Sequence, residues 1–200
     1  MSEITVPDVD GLILDGLTLT APAQLNRSGW TGKRKVVGLP GIELWRGTAT
    51  IDALATEEDE RPWRAFLFAL RGPANYFKWI LPCNTHAGSK PVVGSAPGDG
   101  YTLPLSGMAT SQTILEAGQF MTVPLPSGYN RAVCLTADLV SNGSGVGTAT
   151  FEPALGETPT VGATVETIDP YIRMSPVATT QGMSYQQGVA GSSFDVEEAR

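Results

Sequence analysis

"EEDERPWRAFLFALRGPANYF", residues 57–77, is the one stretch of this chain that carries a clear helical pattern. Trp63, Phe66, Leu67 and Leu70 follow i, i+3, i+4, i+7, which gathers large apolar side chains on one face. Thr56 or Asp59 can cap the start. Pro62 favours Asp59, because the proline then falls in the first turn, where a missing N–H costs nothing. The acidic residues Glu57, Glu58, Asp59 and Glu60 suit the positive end of a helix dipole. Gly72 stands in the expected C′ place with Pro73 behind it as a stop. The pattern predicts a helix over about 59–71, laid against a sheet, with Phe68 off the buried stripe.

Outside this helix the chain reads as strand and turn. Gly 23 and Pro 15 are spread along 200 residues rather than clustered, as many short strands joined by tight turns require. "GLILDGLTLTAP", residues 11–22, alternates and breaks at Gly16, the mark of a strand near an edge or bulge. "GKRKVVGLPGIELWRGTATI" predicts a protruding N-terminal hairpin over 33–51, with its turn at 38–41. Glu43, Trp45 and Gly47 share one face of its second arm and Ile42, Leu44 and Arg46 the other, so neither is purely apolar. Residues 83–100, rich in Gly, Pro, Ser and Asn, read as a long loop. C-terminal strands follow over 101–198, including "GYTLPL", "QFMTVPL", "RAVCLTADLV", "GTATFEPAL", "ATVETI", "YIRMSPV" and "SSFDVEE", with a hairpin signal in "SNGSGVG" at 141–147. The expectation is one mainly β domain over 1–200, a sandwich or barrel of short antiparallel strands with one amphipathic helix packed on it.

Charge is unevenly distributed. The net charge of −7 argues against binding the outside of nucleic acid, where a basic face supplies most of the affinity. Yet Arg27, Lys33, Arg34, Lys35 and Arg46 lie within twenty positions, and the acidic run at the helix start follows at once. Such polarity suits head-to-tail contact between identical subunits, and equally suits a scatter of solvated charges.

Chemistry is sparse. Cys83 and Cys134 lie 51 residues apart without CxxC spacing or a His pair, which speaks against zinc. The single His86, in "CNTHAGSK", would have to activate one of these thiols, and nothing local prepares either for it. "GSGVG" lacks the strand–turn–helix setting of a phosphate loop. Carboxylates on several strands allow a glycosidase pair, but spacing alone cannot bring two across a cleft. The reading calls for no enzyme, no cofactor and no metal. The N-terminus has no basic n-region or apolar core of a signal peptide, and no window holds eighteen apolar residues, so no membrane insertion is expected.

Several phrases together resemble small virion proteins of siphophages: "FLFALRGPANYF" at 66–77, "ILEAGQFMTV" at 114–123, "LTADLVSNGSGVGTATFEPAL" at 135–155 and "FDVEEA" at 194–199. Within that group the chain looks most like a distal tail protein, of the fold shared by tail-tube, terminator and hub proteins of long-tailed phages. The resemblance implies a homohexameric ring in the tail tip or baseplate, made in the host cytoplasm. It would join tail tube to hub and fibres, with DNA passing through an acidic lumen without specific binding. It makes the 33–51 hairpin and the 83–100 loop the contact elements, with Lys33, Arg34, Lys35, Trp45, Arg46, His86 and Lys90 as candidate contacts between subunits. Larger distal tail proteins add a carbohydrate-binding-like domain, for which this chain shows no linker. Tube subunit, terminator and a free-standing carbohydrate-binding β-sandwich are the alternatives.

Overall fold

The computed structural model describes residues 1–20, 23–38, 43–81, 88–95, 100–186 and 189–200. The strands are β1 (Leu12–Thr20), β2 (Ala23–Arg27), β3 (Arg34–Gly38), β4 (Leu44–Leu54), β5 (Phe77–Ile80), β6 (Val92–Val93), β7 (Thr102–Ser106) and β8 (Thr113–Leu115). They continue as β9 (Phe120–Pro124), β10 (Asn130–Leu135), β11 (Leu139–Val140), β12 (Gly147–Glu152), β13 (Tyr171–Pro176), β14 (Ser184–Gln186) and β15 (Val189–Glu198). The protein is mainly β, and among the described residues its single α-helix is α1 at Glu57–Leu70.

Two sheets organise the chain. The first runs β1-β4-β15-β13-β5, with β14 paired to β15; the second runs β6-β7-β12-β10-β9. All named pairs are antiparallel. Strands β6 to β12 fall between β5 and β13, which pair with each other, so the second sheet is an insertion into the first.

The "ATVETI" segment forms no regular strand. It bonds instead to both edges of the second sheet: Gly162 N donates to Val93 O (2.8 Å) and Val93 N to Ala163 O (3.0 Å), while Thr122 and Glu166 exchange bonds at 2.8 and 2.9 Å. These bridges close the second sheet into a small barrel and satisfy edges that would otherwise be open. Its core, including Leu103, Leu105, Met121, Val133 and Phe151, is separate from that of the first sheet.

The helix differs from expectation only at its ends. Thr56, not Asp59, is the cap: its Oγ1 accepts from Asp59 N at 3.2 Å and donates to the Asp59 carboxylate at 2.5 Å. Pro62 therefore lies inside the helix, beyond the first turn. At the other end Arg71 takes the left-handed conformation (φ 52°), and Asn75 caps the last turn, its N donating to Leu70 O and its Nδ2 to Ala69 O. Gly72 follows with φ 62°, and a Cβ there would press on the backbone of Ala178 and Thr179. Trp63, Phe66, Leu67 and Leu70 are all buried against the first sheet, and Phe68 is 61% exposed.

The expected 33–51 hairpin does not form. β4 is an interior strand with β1 on one side and β15 on the other, so neither edge is open to β3. β3 pairs with β2 as a separate two-stranded arm over 23–38, inserted between β1 and β4. The mixed pattern that made β4 look like a covered arm has a local cause. Trp45, Ala49 and Ile51 are buried, and the gap at Gly47 is filled by the Trp79 ring, which a Cβ would overlap. Part of the 83–100 stretch is ordered as β6, and "SNGSGVG" makes a tight turn in which Asn142 N donates to Val146 O (2.8 Å). That turn leads into β12, but β11 before it pairs with β8 rather than with β12.

Candidate assembly interface

Among the described residues the outer part of the arm stands out by its exposure. Every side chain from Asn26 to Val36 is exposed, and Trp30 at the tip is 100% accessible. The tip is closed by backbone bonds from Ser28 N to Lys33 O (2.9 Å) and from Gly32 N to Ser28 O (3.0 Å), with Gly32 at φ 65°. Arg27 and Arg34 are paired across it, and Lys33 and Lys35 flank Arg34. From Asn26 to Val36 this two-stranded ribbon packs no side chain into a core, and such a ribbon is marginal in water by itself.

The other predicted contact residues separate. Lys33, Arg34 and Lys35 stand together on the arm. Arg46 lies on the solvent face of β4, where it pairs with Glu197 at 3.4 Å, next to Thr48–Asp195 and Thr50–Ser193 bonds of 3.2 and 3.1 Å. Trp45 corrects the expectation: it is 7% exposed, its Nε1 donates to Ala132 O (2.9 Å), and its ring meets Phe120 edge-on at 5.9 Å. It is an internal contact between first sheet and barrel. Lys90 is engaged by Glu166 at the barrel closure. Burial pushes the Glu166 carboxyl up, but bonds from Lys90 and from the Asp169 and Ile168 N–H groups outweigh it and leave the carboxyl below its ordinary value. His86 and Cys83 lie outside the described residues. Cys134 is a free thiol that burial pushes to a higher pKa, the direction opposite to activation.

The outer edges of the first sheet are a second candidate surface. Among the described residues β1 pairs only with β4 and β5 only with β13, apart from a bridge between Glu3 and Tyr76. The sheet curls so that Leu12, Leu14 and Leu17 of β1 face Trp79, Ile80 and Leu81 across an apolar groove of about 580 Å³. Gly16 (φ 65°) marks a register shift in β1 between Asp15 and Thr18, as the sequence break predicted.

A cleft of about 680 Å³ lies at the end of the barrel, lined in part by Tyr76, Ser127, Tyr129, Glu157, Arg173 and Arg200. Its polar groups serve the fold: Arg173 Nη1 donates to Gly128 O (2.8 Å) with its guanidinium over the Tyr76 ring, and Glu157 accepts from Ser127 N (3.2 Å). Among the described residues no cluster of three His, Cys, Asp or Glu side chains is placed to hold a metal ion, and no helix is long and apolar enough to cross a membrane. No protein-family model matches the chain. No characterised protein matches its sequence either.

Proposed function

We propose that this chain is a structural virion protein, a ring-forming distal tail component that joins the tail tube to the hub and fibres of a siphophage. The observation that carries the reading is the exposed arm, a basic ribbon tipped by Trp30 that its own chain leaves bare. The outer edges of β1 and β5, which pair with no further strand among the described residues, support it, since a neighbouring subunit can pair a strand edge that is a liability in a monomer. The siphophage assignment rests on the sequence phrases that resemble tail-tip proteins, and the hexameric ring on the same resemblance. An acidic chain suits a ring that passes DNA, because like charges repel.

Immunogold electron microscopy of the virus particle tests this directly, with antibody raised against the chain. Label confined to the tail tip is the expected result. Label along the shaft would make the chain a tube subunit, and label at the head–tail junction a terminator. Particles without label, with working controls, would overturn the virion reading.

A further inference from the structure

The arm has a matching surface on the opposite end of the molecule. β4 spans 11 residues, about 35 Å at the rise of an extended strand, with the arm attached at its Leu44 end and α1 beginning just past Leu54. Residues 16–42 hold four basic side chains, Arg27, Lys33, Arg34 and Lys35, and no acidic one. The first turn of α1 carries Glu57, Glu58, Asp59 and Glu60. Down the helix surface, Glu57, Arg61, Arg64 and Phe68 fall on one stripe (i, i+4, i+7, i+11) away from the buried face, so the acidic part of that stripe is its first turn. Tyr185, itself exposed, lies alongside that stripe, donating to the half-buried Glu60 Oε1 at 2.6 Å, beside the Arg64–Glu60 bond of 2.7 Å. The helix surface thus offers the exposed Tyr185 ring beside the acidic first turn and the exposed Phe68 ring about three turns further along, and the arm offers an exposed tryptophan beside basic side chains.

Since the arm's side chains are exposed, it does not lie on its own helix. We infer that the β2–β3 arm of one copy docks on the outer face of α1 of the next, with Trp30 against Phe68 and Tyr185 and Lys33, Arg34 and Lys35 facing Glu57 and Glu58. This contact is head-to-tail, so it closes as a ring or propagates as a filament, and it orders a ribbon that is marginal alone. The inference deepens the assembly reading by naming the surface that the arm engages. It rests on the reading only in requiring that copies of the chain associate.

The test uses the full chain with a photo-crosslinking phenylalanine analogue in place of Trp30, in a mixture of isotopically light and heavy protein. Mixed light–heavy crosslinks to peptides containing Phe68 or Tyr185 are expected, with yield falling as salt rises. Crosslinks within one copy, to another part of the chain or to nucleic acid would overturn the inference. A charge exchange adds a second readout. K33E/R34E/K35E weakens association by about tenfold or more, a loss of about 1.4 kcal/mol or more, and adding E57K/E58K restores it. Glu57 and Glu58 are chosen because Asp59 and Glu60 bond within their own chain. Restoration excludes misfolding as the cause of the first loss. Association unchanged by the triple substitution overturns the docking. Tail-tip label without the crosslink leaves the proposed function standing and removes this contact; the crosslink without virion label does the reverse.

Discussion

The guanidinium of Arg131 and the carboxylate of Glu198 form an ion pair sealed from solvent, with side chains 1% and 0% exposed. It joins barrel strand β10 to the last residue of β15. Both partners make further bonds. Arg131 also donates to Glu43 O (2.6 Å) and Ala154 O (3.2 Å), and Glu198 also accepts from Trp45 N (3.2 Å) and the Tyr129 hydroxyl. Replacing one partner strands the other charge in an apolar setting. Arg131→Met should cost about 3–5 kcal/mol in urea unfolding. Arg131→Met with Glu198→Leu should recover part of that loss, the remainder reflecting the unpaired Trp45 N–H and Tyr129 hydroxyl. A double variant less stable than Arg131→Met alone would contradict this account.

Gly47 and Trp79 make a second, purely steric prediction. The indole occupies the space a side chain at 47 would need, and Trp79 is itself buried. Gly47→Ala forces the ring or the strand to shift and should cost about 1–3 kcal/mol. Gly29→Ala, in open space on the arm, is the control and should leave the urea midpoint within error.

Phe66 and Phe68 are two residues apart and differ in nearly everything else. Phe66 is 3% exposed and meets Trp63 and Phe77 edge-on at 5.7 and 5.6 Å; Phe68 is 61% exposed. Thermal melting should show Phe66→Ala losing about 3–5 kcal/mol. Phe68→Ala should change monomer stability by no more than about 0.5 kcal/mol, as surface substitutions do. Equal losses at the two positions would mean that the helix is packed the other way round.

The closure of the barrel is sensitive to acid at Glu166. Its carboxyl titrates below the ordinary glutamate value in the folded state, so its contribution is complete above about pH 4.3, the unfolded value. That contribution is lost as pH falls through the lower folded value. Wild-type melting temperature should therefore drop more steeply below pH 4.3 than that of Glu166→Gln, whose neutral amide does not titrate. Parallel curves would show that the Lys90 bond adds nothing to stability. Glu152 works in the opposite sense: burial, and then the Glu43 charge, raise its pKa, so Glu152→Gln should slightly raise the melting temperature at pH 7.

What the sequence by itself determined was local. The 3.6-residue spacing of Trp63, Phe66, Leu67 and Leu70 specifies a helix with one buried face, because any sheet that accepts it must cover those four side chains. The break at Gly16, the β class and the separation of basic from acidic residues are likewise legible, since composition and period-two alternation follow from backbone geometry alone. What only the tertiary structure decided were the partners. The pattern of β4 cannot report that Trp79, over thirty residues on, fills the place of a missing side chain at Gly47. Residues 33–38 read as pairing forward, whereas they pair backward with β2 because β1 and β15 take both edges of β4. Arg131 and Glu198 look like two more surface charges, because the desolvation that makes them a pair comes from residues distant in sequence. Periodicity states which side chains need covering; which segment covers them depends on packing between chain segments far apart.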